Sequence, residues 1–109
     1  MTNAVLHILL SLAAEDRHGL GIAADVKAFT GGRLSLGPGT LYGTVKRLLE
    51  DELIEDLGSP SGDTDDPRRR YYRLTAKGRR QLAVETSRWD KLAGAIAQIL
   101  RPAGEGGQS

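Results

Sequence analysis

The stretch Gly37-Pro-Gly-Thr-Leu-Tyr-Gly-Thr-Val-Lys-Arg-Leu-Leu-Glu-Asp-Glu-Leu-Ile-Glu-Asp56 decides the fold. Apolar residues recur in it at helical spacing, which predicts a helix that Ser35 can cap, that has Pro38 in its first turn and that runs to about Glu52. The buried side of this helix would be formed by Leu41, Val45, Leu48 and Leu49. Residues 53–57 predict a strand, and residues 70–74 predict a returning strand beyond a turn rich in glycine, serine, proline and aspartate. This order predicts the second half of a winged helix-turn-helix.

Two helices are predicted before this stretch. Thr2 or Asn3 can cap the first, which reaches about residue 14, and the second spans about residues 21–29 before Gly31-Gly32 ends it. The first helix is apolar on nearly every side, a pattern typical of a helix that is covered all round. Since one small domain covers a terminal helix with difficulty, this pattern suggests a second subunit.

A last helix is predicted from the Thr75 cap to about Leu100. Its apolar residues recur in heptads, interrupted at Glu85, and predict either a dimer seam or a helix that folds back on its own domain. The candidate dimer residues, two of them from the first helix, are Val5, Leu9, Leu82, Trp89, Leu92, Ile96 and Ile99.

The expected fold class is therefore mainly α with a small β-hairpin (α+β). Residues 1–74 would form the winged helix-turn-helix, residues 75–101 a long dimerisation helix and residues 102–109 a disordered tail.

Composition sets broad limits on function. The 109 residues predict one domain with a formal net charge of +1, yet the charge is segregated. Residues 51–66 carry seven acids and no base, whereas residues 68–80 carry seven bases and no acid, which predicts either a basic face or an ordinary solvated one. The absence of cysteine excludes disulfides. The apolar run at residues 5–14 is too short to span a bilayer, so we expect a soluble cytoplasmic protein.

These elements predict a DNA-binding surface in two parts. A helix-turn-helix inserts the N-terminal end of its second helix into the major groove, and a wing brings arginines to the flanking backbone or minor groove. Asp63, Asp65 and Asp66 near the wing tip would bend away from phosphate or pair with neighbouring arginines. Arg47 is a weaker DNA-binding candidate than Lys46, because it can pair with Glu50 or Asp51 of its own helix. The candidate DNA-binding residues are Ser35, as a helix cap, and Gly39, Thr40, Tyr42, Lys46, Arg68, Arg69 and Arg70.

The combined pattern resembles the PadR-like transcriptional regulators, short branch, over nearly the whole chain. The matching pieces are His18-Gly19, Leu34-Ser35 followed by Pro38-Gly-Thr-Leu-Tyr42, Arg47-Leu48, Leu53-Ile54, Arg69-Arg-Tyr-Tyr-Arg-Leu-Thr75 and Gly78. The resemblance implies a homodimer that dimerises through the last helix and commonly represses a neighbouring transporter or detoxification gene until a small molecule releases it. Leu20 departs from the family, which often has an aromatic residue there, and Gly43 stands where proline is common.

The resemblance also implies a planar hydrophobic effector at the dimer interface. Trp89 is the one tryptophan and could stack on a planar cation, although an aromatic residue at a heptad position also suits plain interface core. The candidate effector residues are Leu6, Leu10, Trp89, Asp90 and Ala93.

Two other classes of function were weighed against a regulator. The alternative is a winged-helix protein-interaction module that does not bind DNA, against which the basic residues argue. An enzyme is not expected, because His7 and His18 are the only histidines and both suit structural roles. We expect no cofactor and no metal, since the Asp63-Thr-Asp-Asp66 run lacks the length and spacing of a calcium loop.

Overall fold

The structure is a computed structural model that describes residues 1–60 and 66–101. The predictions for Asp63, for Asp65 and for the tail at residues 102–109 lie outside the described residues. The fold is mainly α with a small antiparallel sheet, as predicted. The elements in chain order are α1 (Asn3–Ala14), β1 (Arg17–His18), α2 (Gly19–Phe29), α3 (Pro38–Glu50), β2 (Ile54–Gly58), β3 (Tyr71–Leu74) and α4 (Ala76–Ile99).

Side-chain caps fix the starts of three helices. The Thr2 hydroxyl accepts a hydrogen bond from the Val5 N–H at 3.2 Å, and the Thr75 hydroxyl accepts one from the Gly78 N–H at 3.0 Å. Both caps were predicted. His18 caps α2, because its Nδ1 accepts from the Gly21 N–H at 2.8 Å. Polar acceptors at this position satisfy N–H groups that have no partner within the helix.

The prediction that Ser35 caps α3 is wrong. The N-cap is Gly37, and no side chain among the described residues accepts a hydrogen bond at this helix start. Ser35 lies two residues before the cap and is exposed, too early in the chain for the interaction that an N-cap side chain makes with the N–H two or three residues on. Pro38 does lie in the first turn, as predicted.

The sheet of the described residues has a strand that the sequence did not predict. Residues 15–19 lie between the first two predicted helices, where no strand was predicted, yet Arg17 pairs with Tyr72 and His18 with Tyr71 in antiparallel register. The strand order is therefore β1-β3-β2, with β3 in the centre. The His18 and Tyr71 rings meet edge to face, 5.4 Å apart. Two residues are too few to show the alternation by which a strand is predicted.

The core forms around α1, which contacts α2, α3, α4 and β3. Leu6, Ile8, Leu9 and Leu12 are buried, with Leu9 fully inaccessible to solvent. One chain thus covers most of a helix that appeared too apolar for it, and the inference that α1 needs a second subunit does not hold. The reason is that α1 runs through the middle of the domain, although it begins the chain.

The two ends of α4 have different environments. Gly78 and Leu82 are buried, and a β-carbon on Gly78 would collide with the Leu53 carbonyl oxygen, so the first turns belong to the core. From residue 87 onwards every described residue is exposed, and the molecule measures 64 × 28 × 20 Å. The second half of α4 therefore projects from the domain. No helix within residues 1–60 and 66–101 is long and apolar enough to cross a membrane.

Candidate nucleic-acid interface

The outward face of α3 is bare near its N-terminus. A shallow groove of about 300 Å³ is lined by Gly39, Thr40, Gly43, Thr44 and Arg47. Apart from the adjacent residues and the backbone of the helix itself, no described atom lies within 4 Å of a β-carbon built on either glycine. The Thr44 hydroxyl donates to the Thr40 carbonyl oxygen at 2.7 Å and so turns back onto the helix, while Thr40 is exposed. This face lets another molecule approach the helix backbone closely.

Two exposed cations flank that face. Tyr42 and Lys46 are four residues apart and share one side of α3, whereas Arg47 lies beside Gly43. The described residues show no ion pair between Arg47 and either Glu50 or Asp51. The reason for placing Arg47 below Lys46 is therefore absent from the structure, and both cations are available to a polyanion.

Tyr42 joins three elements. A β-carbon on Gly19 would lie 3.0 Å from Tyr42 Cε1, 2.6 Å from the Pro67 carbonyl oxygen and 3.0 Å from Arg68 Cα. The Leu20 N–H donates to the Arg68 carbonyl oxygen at 3.3 Å. Partial burial raises the pKa of Tyr42, and the nearby Arg68 guanidinium opposes that rise. The start of α2, helix α3 and the wing residues Pro67 and Arg68 thus meet in one junction.

Two of the wing arginines are held by carboxylates. Arg68 pairs with Asp66 at 2.8 Å, and Arg70 pairs with Asp56 at 2.7 Å. For Asp66, the expectation that the acids pair with neighbouring arginines is thereby confirmed. Arg69 is exposed and makes no ion pair within the described part of the chain. The three arginines that the sequence grouped together are therefore in different electrostatic states.

Gly19 is a contributor to this site that sequence reasoning did not identify. The His18-Gly19 pair is among the residues that resemble the PadR-like family, but the neighbouring sequence does not indicate what the glycine does. Position 19 has no room for a side chain because Pro67 and Tyr42 lie against it. Both residues are distant in sequence, so no local sequence pattern could indicate this.

The predicted dimer residues fall into two groups. Leu9 and Leu82 lie in the core of the single chain, and Val5 is half-buried, so these three do not form an open surface. On the projecting half of α4, the exposed fractions are 48% for Trp89, 50% for Leu92, 44% for Ile96 and 79% for Ile99. Of the predicted dimer residues, those with exposed apolar side chains therefore all lie on α4.

The predicted effector residues are also divided. Leu6 is buried in the core and Leu10 is half-buried, whereas Trp89, Asp90 and Ala93 are exposed on α4. A cavity of about 420 Å³ does lie between α1, α3 and α4, but Trp89 is not part of its lining. That lining consists of Met1, Val5, Arg47, Leu48, Asp51, Leu53, Arg80, Gln81, Val84 and Glu85. None of Leu6, Leu10 and Trp89 therefore lines this cavity.

A metal centre finds no support in the described residues. No three histidine or carboxylate side chains in residues 1–60 and 66–101 are grouped so that they could hold a metal ion.

Comparison with known proteins agrees with this geometry. The model of the transcriptional regulator PadR-like family matches residues 5–84. The chain is 31% identical over 83 residues to protein X, an uncharacterised protein of Lysinibacillus sphaericus, a match that covers 75% of this chain and 73% of that protein. It is 32% identical over 100 residues to an uncharacterised 37.1 kDa protein of transposon TN4556 from Streptomyces fradiae. That match covers 92% of this chain and 27% of the Streptomyces protein, so the chain spans about a quarter of its length.

A solved structure has the same architecture. The crystal structure of a PadR family transcription regulator from Clostridium difficile R20291 superposes with a TM-score of 0.73 at 26% sequence identity. The match covers 92% of this chain and 100% of that one, and therefore includes the winged helix-turn-helix together with the long last helix.

Proposed function

The chain belongs to the PadR-like family of transcriptional regulators, and from this premise we propose that it is a homodimeric regulator that binds double-stranded operator DNA in a sequence-specific manner. The family consists of regulators and not of enzymes, in agreement with the sequence prediction. The observation that carries the proposal is the open N-terminal face of α3, on a helix whose Tyr42 lies near Arg68 of the wing.

The DNA-binding role is divided between α3 and the wing. In a helix-turn-helix, the start of the second helix contacts base edges in the major groove. Thr40, Lys46 and Arg47 are the exposed side chains of α3 with the chemistry to do so, while the small residues allow the backbone to come near. Arg68, Arg69 and Arg70 would contact the flanking phosphates, which fix position without reading sequence.

The homodimer is proposed from the projecting half of α4. Its exposed apolar residues, Trp89, Leu92, Ile96 and Ile99, need cover that the single chain does not provide. A second copy would supply the same surface in a two-fold arrangement, as is usual for soluble homodimers. The two recognition helices would then enter major grooves about one helical turn, roughly 34 Å, apart.

We further propose repression of a neighbouring transporter or detoxification gene in the cytoplasm, and release by a planar hydrophobic effector. The half-exposed Trp89 indole, with Asp90 and Ala93 near it in sequence on α4, supports an effector at the α4 seam. In that site Leu10 would come from the partner subunit, since neither Leu10 nor Trp89 lines the cavity between α1, α3 and α4.

The test is binding to DNA duplexes selected from a random pool, measured by fluorescence anisotropy as a function of salt, with a scrambled duplex as the control. We expect tighter binding to the selected sequence, and log affinity falling against log salt by about 0.9 for each phosphate neutralised. No binding by the folded protein at low salt would instead support the alternative, a winged-helix module that contacts protein and not DNA.

A further inference from the structure

The most exposed paired arginine of the wing is held by a carboxylate two residues away. Arg68 Nε lies 3.0 Å from Asp66 Oδ1 and 3.2 Å from Oδ2, and Arg68 Nη2 lies 2.8 Å from Oδ2. The pair is therefore bidentate. A bidentate carboxylate occupies the same edge of the guanidinium, with the same donor atoms, that a phosphate of DNA would use.

The carboxylate is fixed in this position by the backbone. Asp66 Oδ1 also accepts a hydrogen bond from the Arg68 N–H at 3.0 Å, and the Asp66 carbonyl oxygen accepts one from the Arg69 N–H at 3.0 Å. The Arg68 carbonyl oxygen in turn accepts from the Leu20 N–H, which ties the segment to α2. The ion pair is thus already formed in the protein without DNA.

The charge state of the pair is constant at ordinary pH. The hydrogen bonds from the Arg68 side chain and backbone lower the pKa of Asp66 to about 2, so its carboxylate stays ionised wherever DNA binding is measured. The pair is also exposed, with side-chain accessibilities of 58% for Arg68 and 26% for Asp66. Exposed ion pairs are weak, so a phosphate in an interface can replace the carboxylate.

We propose that Asp66 limits the affinity of this protein for DNA by occupying the Arg68 guanidinium, from which a phosphate must displace it. This inference rests on the proposed DNA-binding function. Asp66 would thus act against the wing arginines Arg68, Arg69 and Arg70. It would lower the affinity for every DNA sequence by the same factor, because the contact involves the DNA backbone. Base selection by α3 then contributes a larger share of the remaining affinity.

The direct test is Asp66→Asn, whose amide oxygen can still accept the hydrogen bond from the Arg68 N–H. We expect tighter binding to selected and scrambled duplexes alike, by about fivefold at low salt, since the lost ion pair is an exposed one. The salt dependence should steepen by up to about 0.9 in log–log slope, because removal of the Asp66 charge leaves the Arg68 site with one more net positive charge to neutralise phosphate. Asp66→Ser, which also keeps an acceptor for the turn, should act in the same direction.

The matched control is Asp16→Asn. Asp16 pairs with Arg73 at 3.1 Å, so this change removes the same charge and breaks the same kind of ion pair away from the candidate DNA-binding arginines. Its effect on affinity should be smaller than that of Asp66→Asn.

The decisive comparison is made in an Arg68→Ala background. There Asp66→Asn should give no further gain, because the guanidinium that it releases is absent. A gain that persists would mean simple repulsion of DNA by the charge and would overturn the inference. Weaker binding by Asp66→Asn and Asp66→Ser would also overturn it, because Asp66 would then orient Arg68 towards DNA. Unchanged affinity in both variants, with wild-type protein that binds, refutes this inference alone, whereas wild-type protein that never binds refutes the proposed function as well.

Discussion

Gly19 lies so close to Pro67 that a β-carbon on Gly19 would come within 2.6 Å of the Pro67 carbonyl oxygen. The start of α2 therefore packs directly against the wing residues Pro67 and Arg68. The Leu20 N–H donates a hydrogen bond to the Arg68 carbonyl oxygen at 3.3 Å. Because Tyr42 of α3 reaches the same point, a side chain at position 19 would have to displace Pro67, Arg68 or Tyr42.

Gly19→Ala should weaken DNA binding by separating the wing from α2. The new methyl group meets backbone atoms, which cannot move aside as a flexible side chain can, and we expect a stability loss of about 1–3 kcal/mol. Gly21→Ala is the matched control, since its β-carbon would meet the nearest atoms at an ordinary 3.4 Å. Thermal unfolding and anisotropy titrations measure the two effects. Equal behaviour of the two variants would contradict the role of the junction.

The helices could be predicted from the sequence, whereas the role of Gly19 could not. The spacing of Leu41, Val45 and Leu48 is a local property, so α3 and its buried side were predicted correctly. The two-residue β1 and the central place of α1 depend on contacts between distant segments, which no window of sequence records. Ser35 shows the same limit at short range, because a capping residue alone does not determine where a helix begins.

The arginines of the candidate site could be predicted from the sequence, but the carboxylates with which they pair could not. The sequence grouped Arg68, Arg69 and Arg70 as equal contributors, whereas the structure pairs the first and the last with carboxylates. Asp56 lies on another strand, and its pairing with Arg70 depends on the hairpin register, including a bulge between Asp56 and Gly58. Charge runs indicate where cations lie along the chain, but their partners depend on the fold.

The division of labour between α3 and the wing can be tested by two classes of variant. Arg69→Ala should weaken binding to selected and scrambled duplexes by the same factor, because phosphate contacts carry no sequence information. Thr40→Ala, Lys46→Ala and Arg47→Ala should reduce the preference for the selected sequence, by about 1–3 kcal/mol for a residue that makes a good base contact. Competition binding with both duplexes measures each ratio. Arg88→Ala, on the exposed part of α4, is the control.

An equal loss on both duplexes for all three α3 variants would remove the base-reading role of that helix. It would leave α3 as a further phosphate-binding element, and sequence preference would then have to arise from DNA shape.

Ile96→Asp should convert the dimer to a monomer. Ile96 is 44% exposed in the single chain, and a partner helix at the seam would bury the new carboxylate without a counter-charge, at a cost of several kcal/mol. We expect the dimer dissociation constant to rise by at least about a hundredfold. Gln98→Asp adds the same charge to the other side of α4 and should leave the dimer intact. Analytical ultracentrifugation distinguishes these results, and a dimeric Ile96→Asp protein would exclude this seam.

Tyr72 should make the protein sensitive to alkali. Burial is the main cause that raises the pKa of Tyr72 to about 12, and the nearby Asp56 carboxylate adds to the rise. A tyrosine in the unfolded chain loses its proton near pH 10, so the unfolded state ionises first. The contribution of Tyr72 to the free energy of unfolding is therefore complete below about pH 10 and is lost as the pH rises through about 12.

Tyr72→Phe isolates this contribution. The variant loses the 3.4 Å hydrogen bond from the Tyr72 hydroxyl to the Pro67 carbonyl oxygen, but it has no phenol to ionise. Urea unfolding of both proteins between pH 8 and pH 12 should show the wild type losing stability relative to Tyr72→Phe above about pH 10. Parallel curves for the two proteins would mean that the Tyr72 phenol ionises equally easily in the folded and unfolded states. In that case the Tyr72 hydroxyl would not be buried in the folded protein. Its contact with the Pro67 carbonyl oxygen would then not be a stable part of the structure.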